Sequence, residues 1–179
     1  SNDIRGLNYT YNADGYIWKY LGVDKTTARA ASENDQNYII YRLADVLLMK
    51  AEALIMQGHN EDAADLIDRT RERAGLGETT LSDDRMVMLE TLLVERQKEF
   101  FGEGKNWFDL LRIGLRSEQL NDTQYKTLFV EQALKAVGAS RQSLGRATLA
   151  NSGSWYLPYS EDELSKNPLL EQSDYYQSI

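Results

Sequence analysis

Glu95, Glu99 and Glu103 recur every four residues in the stretch "LLVERQKEFFGEGKNWFDLLRIG", Leu92 to Gly114. On a helix that spacing places three carboxylates on one face. Such a row can cradle a metal, supply the acid and base of a glycosidase, or brace the interior. Carboxylate-bridged iron or manganese sites add a histidine three residues after a glutamate, and none stands there. His59 is the only histidine in the chain, and in "QGHNED" it reads as a polar loop residue. A glycosidase needs two carboxylates of opposed protonation flanking a sugar. With 28 acidic residues in the chain, a pair somewhere carries no information.

Like charges four apart destabilise an isolated helix slightly, so the row implies cations close by. Arg96, Lys98, Lys105 and Arg112 are the neighbours in sequence. With Phe101, Trp107 and Phe108 covering them, such pairs are partly desolvated and geometrically specific. The reading is structural: the glutamates are struts that hold a glycine-rich elbow against a helical support, and Trp107 belongs to the core. No catalytic residue, no metal and no cofactor is expected.

That support begins at Tyr38. "YRLADVLLMKAEALIMQ" places Leu43, Leu47, Ala51 and Leu54 on one broad stripe, with Ala44, Leu48 and Ile55 beside it, which predicts a largely buried helix. Gly58 is its expected C-terminal cap, and Asn60 the cap of the next helix. "EDAADLIDRTRERAG" turns Ala63, Ile67, Thr70 and Ala74 inward and stops at Gly75. Two helices joined by a tight turn form a hairpin. The small residues Ala51 and Ala63 let its backbones approach, as in the tetratricopeptide repeat, which the pair partly resembles. A third helix is expected from Ser82, capped by that serine and running Met86, Leu89, Leu92 or Leu93 and Phe100 inward. A short fourth covers "NWFDLLRIG", and another follows between Asp122 and Gly138. "SRQSLGRATLAN" promises only a turn or two. The tail, with both prolines of the chain, is expected to be extended with one helical turn at "SEDEL".

Composition bounds the function. The chain has 179 residues, a net charge of −8 and no cysteine. Disulfides, thiolate zinc sites and a cysteine nucleophile are therefore excluded. The acidic balance, with no basic stripe, argues against nucleic acid. No apolar run reaches the length of a membrane span. Residues 1–37 read as irregular: aromatics broken by Asn, Asp and Gly, then a polar loop.

Four pieces, in this order, carry a resemblance: "YRLADVLLMKAEAL", "RTRERAGL", "ERQKEFFGEGKNWFDLLRIG" and "YLPYSEDELSKNPLLEQSDYY". Together they resemble the C-terminal part of the SusD/RagB family of glycan-binding outer-membrane lipoproteins. The specific matches are Glu95-Arg96, Glu99, Glu103-Gly104, Trp107-Phe108-Asp109-Leu110 and Arg112, then Leu157-Pro158, Glu163-Leu164, Asn167-Pro168 and Gln172. The likeness covers roughly 38–176. The tail departs from the family's Leu-Pro-Ile-Pro, reading Leu157-Pro158-Tyr159-Ser160 here.

The resemblance implies a mostly α fold: a tetratricopeptide-like helical hairpin scaffold with long irregular loops and an extended C-terminal tail. The chain is then one C-terminal region, 1–179. Within it, 1–37 is an irregular loop segment, 38–113 holds the hairpin with the third and fourth helices, and 114–179 adds a helix and the tail. The resemblance also implies carbohydrate binding at the bacterial cell surface and delivery of glycan to a partner TonB-dependent transporter. Membrane association is implied through a lipid anchor outside this chain. The function implied is binding, not catalysis. Sugar binding needs aromatic faces flanked by amides and carboxylates, and Asn12, Asp14, Tyr16 and Trp18 in "NADGYIWKY" supply that mixture. Trp155 and Tyr156, beside the tail proline, read instead as an anchor. The competing reading is a helical-repeat scaffold whose groove takes a protein or peptide.

Overall fold

The computed structural model describes residues 2–6, 10–11, 17–20 and 37–178. Among the described residues a 3-10 turn, Trp18–Tyr20, precedes eight helices: α1 Leu43–Gln57, α2 Asn60–Arg73, α3 Arg85–Glu99, α4 Asn106–Leu120, α5 Thr123–Leu134, α6 Ala139–Leu149, α7 Glu161–Lys166 and α8 Asp174–Gln177. A further 3-10 turn, Ser152–Trp155, lies between α6 and α7. Among the described residues the only β pairing is an isolated antiparallel bridge between Tyr11 and Ile17. The chain divides into two compact units, residues 1–109 and 110–179.

In the first unit α1 and α2 form the expected hairpin, and α3 packs on both. Each helix of the pair stops at a left-handed glycine, Gly58 (φ 83°) and Gly75 (φ 79°). In both turns the glycine N–H returns to the carbonyl three residues back, and the next N–H to the one five back, as in Gly58 to Ile55 and His59 to Leu54. Leu48, Ala51, Ile55, Ala63, Ile67, Leu89 and Leu92 have no exposed surface. Burying each large aliphatic side chain among them stabilises by about 1.5–3 kcal/mol.

On α1, Leu48, Ala51 and Ile55 are buried as expected, but the helix is rotated at its start: Leu43 is exposed, and Asp45 and Glu52, not expected inside, are buried. Charge sets this rotation, because Asp45 must turn inward to meet Arg96 and Lys105. Two caps also differ. Asn60 is the first residue of α2 and donates its amide to the Ser82 carbonyl at 2.8 Å instead of capping. The cap of α3 is Asp84, whose carboxylate accepts from the Met86 N–H at 2.7 Å. Ser82 is spent on the Asp84 N–H at 3.1 Å.

In the second unit α5 packs on α6, and both α6 and α8 touch the Ser152–Trp155 turn. Asp122 caps α5 as expected, through the Gln124 N–H. Gly138, expected to close that helix, precedes α6, which runs for 11 residues where only a turn or two was anticipated. Packing overrides its weak propensity. Trp155 is 2% exposed, donates Nε1–H to the Leu149 carbonyl at 3.0 Å and meets the Phe129 ring at 4.4 Å, which makes it the anchor expected. Ser160 caps α7, the helical turn foreseen at "SEDEL". Gln172 staples the tail: its amide donates to the Tyr159 carbonyl and accepts from the Tyr159 N–H, at 3.0 and 3.2 Å.

α4 runs through Gly114 instead of ending there, because the residue allows a close crossing. A Cβ at that position would lie 3.0 Å from both the Phe129 ring and the Trp155 ring. Gly114→Val should therefore destabilise the protein by about 1–3 kcal/mol through overpacking. Thermal unfolding followed by circular dichroism measures this, and an unchanged melting temperature would show that the crossing has slack.

Candidate functional site

The three glutamates of the α3 row are 1–2% exposed. Carboxylates that deep must be paired, and their partners arrive from elsewhere in the chain. Arg5 donates Nη1–H to Glu95 at 2.6 Å and to Glu99 at 3.1 Å, and is itself oriented by Asp3 at 2.9 Å. Arg42, just ahead of α1, bonds Glu99 through Nη1 and Glu103 through Nη2 at 2.9 Å. Arg73 reaches both Glu99 oxygens at 2.6 and 2.7 Å. Lys19 donates to Glu103 at 2.7 Å and to the Glu99 carbonyl at 2.6 Å. Arg71 lies 3.5 Å from Glu95.

Two of the local cations expected to serve the row pair elsewhere. Arg96 and Lys105 belong to a second network around Asp45 and Asp109. Arg96 holds Asp109 with two bonds of 2.8 Å and Asp45 with one of 2.9 Å. Lys105 bonds Asp45 and the Ile40 carbonyl. Between the two networks sits Phe100, 4% exposed, with Arg42 and Arg96 each 4.8 Å from its centroid and Lys105 at 5.0 Å. Cations over a ring face gain from its quadrupole.

Protonation follows from this packing. Burial works to raise the Glu99 carboxyl, but the Arg42 bond and the charges of Arg42 and Arg73 outweigh it and hold the group below its ordinary value. At Asp45 burial is likewise outweighed, by the bonds from Lys105 and Arg96. Lys19 goes the other way: burial depresses its ammonium despite the bond to Glu103. The networks are internal braces, as the struts reading expects, with two buried atoms, Glu95 Oε2 and Arg96 Nη1, left without a hydrogen bond. Among the described residues no cluster of three or more His, Asp or Glu is arranged to hold a metal. His59 is an exposed residue of the turn between α1 and α2.

The aromatic cover is a correction. Trp107, expected in the core, is 40% exposed, and Phe101 and Phe108 also face outward. The interior space they were to fill is taken by the Phe100 ring and its guanidinium neighbours. Of the candidate sugar-binding residues, Asn12, Asp14 and Tyr16 lie outside the described residues. Trp18 is half-buried in the first 3-10 turn, and its N–H donates to the Thr10 carbonyl at 2.7 Å. The two ends of that segment are tied down, Arg5 and the Ile4 N–H (to the Ala74 carbonyl, 3.0 Å) on one side and Lys19 on the other.

Fold and site define a helical, tetratricopeptide-like scaffold locked by internal ion pairs. The SusD family profile matches residues 5–176, and the chain belongs to the SusD family. It is 37% identical over 89 residues to SusD-like protein P38 of Formosa agariphila, covering 45% of this chain and 18% of that protein. To SusD-like protein P25 of the same organism it is 29% identical over 171 residues, covering 94% and 28%. A SusD superfamily crystal structure from Bacteroides fragilis superposes with TM-score 0.57 at 29% identity, over 78% of this chain and 28% of the other. One from Bacteroides vulgatus gives 0.53 at 30%, over 78% and 27%. The chain thus spans 18% and 28% of the length of these two curated relatives.

Removing a buried partner costs more than the pair is worth. Glu99→Gln, which strips charge from a group shared by Arg5, Arg42 and Arg73, should destabilise by about 3–5 kcal/mol in urea titrations. Arg73→Ala should cost under about 1 kcal/mol, since that side chain is 58% exposed. Equal losses for the two would contradict the burial argument.

The row also sets an acid limit. Because the native Glu99 and Asp45 values lie below the ordinary ones, the unfolded chain takes up protons first as pH falls. Their stabilisation is complete above roughly pH 5 and is lost as pH drops through about 4 and below. Urea midpoints measured from pH 7 to pH 3 should be flat and then fall; a midpoint that rises on acidification would contradict the pairing.

Proposed function

We propose that this chain contributes to a carbohydrate-binding protein of the bacterial outer-membrane surface, which captures oligosaccharide and hands it to a partner TonB-dependent transporter. Membership of the SusD family over residues 5–176 is the observation that carries the reading. The mechanism is capture by ring stacking and hydrogen bonds, each weak, so that an extended glycan touching several contacts is favoured. Trp18, with Asn12, Asp14 and Tyr16 from the same segment, is our candidate contact group. The bonds of Lys19 to Glu99 and Glu103 support the choice of its neighbour Trp18, because an ordered contact loses less entropy on binding. No helix among the described residues is long and apolar enough to cross a membrane, in keeping with surface attachment by a lipid anchor.

Binding without bond cleavage fits the carboxylates. Glycosidic hydrolysis needs acids open to substrate, whereas Glu95, Glu99 and Glu103 are buried and occupied by cations. The second reading, a protein-interaction scaffold, is favoured by the apolar stripe Ile40, Leu43, Val46 and Met49, which is 40–68% exposed.

A glycan array separates the two. The native chain should be retained on at least one polysaccharide, and Trp18→Ala should lower that affinity by about fivefold with circular dichroism unchanged. Absence of retention on every glycan would favour the scaffold.

A further inference from the structure

The turn between α3 and α4 encloses a cleft of about 460 Å³, whose walls include Gln97, Phe101, Gly102, Lys105, Asn106 and Trp107. Its size falls in the range of small-ligand sites. Phe101 and Trp107 are 44% and 40% exposed, so two aromatic faces border an open space. Among the described residues, no hydrogen bond engages the exposed side-chain amides of Gln97 and Asn106, which leaves their donors and acceptors to solvent.

We propose that this cleft is a carbohydrate subsite, in which one ring of a neutral oligosaccharide lies against Trp107 and Phe101 while Gln97 and Asn106 bond its hydroxyls. It deepens the glycan-binding reading and rests on it. The chemistry of the walls selects this occupant. A fully apolar ligand or lipid chain would cover the two amides and leave them unsatisfied, at a cost. Among the described lining residues an anionic ligand would find no exposed, uncommitted cation: Arg96 is 3% exposed and its charge is held by Asp45 and Asp109, although its buried Nη1 makes no bond, and Lys105 is committed to Asp45 and the Ile40 carbonyl. Among the described residues no carboxylate lines the cleft either, so the described wall is neutral and mixed. Pyranose rings match it, with an apolar C–H face and a rim of hydroxyls.

The cleft also adjoins Tyr11 and Ile17. The Tyr11 ring meets Phe101 at 5.5 Å. Ile17 lies so close to Gly102 that a Cβ there would stand 2.9 Å from its methyl carbon. Positions 11 and 17 therefore border the elbow that walls the cleft. A chain of sugar rings held at Trp107 can continue along that border.

Isothermal titration of the native chain with cellohexaose, xylohexaose, mannohexaose and laminarihexaose supplies the test. The tightest of these is then titrated into variants. Trp107→Ala and Gln97→Ala should each weaken binding by about fivefold, and Trp107→Phe should stay within about twofold of native. Should Trp107→Ala fail to fold, Gln97→Ala and Asn106→Ala decide, both being exposed polar positions. If these variants bind as the native chain does while Trp18→Ala is weakened, the subsite is refuted and the glycan reading stands. If the native chain binds none of the four sugars, the subsite falls, and the glycan reading falls with it when the array also shows no retention.

Discussion

A row of carboxylates sealed inside a helical protein is the constraint from which the rest of the first unit follows. Left unpaired, each buried charge would cost several kcal/mol. The fold therefore has to bring cations to α3, and it brings them from the segment around Arg5, the first 3-10 turn, the approach to α1 and the end of α2. The pairs need not add net stability, since desolvation offsets much of their attraction, as the depressed Lys19 ammonium shows. What they add is register. A slip of one turn along α3 would leave a glutamate facing apolar side chains and an arginine facing nothing. The penalty fixes Arg5, Lys19 and Arg42 against the row.

The same economy explains why the elbow after α3 shows its aromatics to solvent. Phe100 is the ring that the interior uses, wedged among the guanidinium groups of Arg42 and Arg96 and the Lys105 ammonium. Phe101, Gly102 and Trp107 are then displaced to the outer side of the turn. An arrangement that exists to neutralise charge inside thus produces a neutral, partly aromatic surface outside. The scaffold and its candidate contact surface share residues one position apart.

Legibility in the sequence tracked the range of the interaction responsible. The α1–α2 hairpin could be read because periodicity and capping glycines act within a few residues, and Gly58 and Gly75 stand where that local chemistry needs them. That the glutamates are structural was also readable, from their spacing and the missing histidine. Their partners were not: Arg5, Lys19 and Arg42 lie 57–94 residues from the glutamates they bond, and no local pattern marks them. The start of α1 is illegible for the same reason, because Asp45 looks like a surface residue until Arg96 is placed opposite it. Ser82 and Asp84 are equally good caps in isolation, and only the Ser82 bond to the Asp84 N–H decides between them. Trp107 was assigned to the core by its type, although Phe100 already fills the space. Three of the four candidate sugar contacts lie outside the described residues, so for them the sequence reading stands alone.

The net charge of −8 bears on how such a protein can act. An acidic surface steers anionic ligands away and cationic ones toward it, over distances of about 10 Å at moderate salt. A neutral glycan feels neither effect, so capture depends on contact surfaces and on how little they must reorganise. Rigidity then matters more than charge. In this chain the rigidity is electrostatic in origin, but it resides in buried pairs that salt screens weakly. On the proposed reading, folding and binding draw on separate physical resources: ion pairs shielded from solvent set the shape, and uncharged rings and amides exposed to solvent would meet the ligand, so the binding geometry would hold across a range of ionic strength.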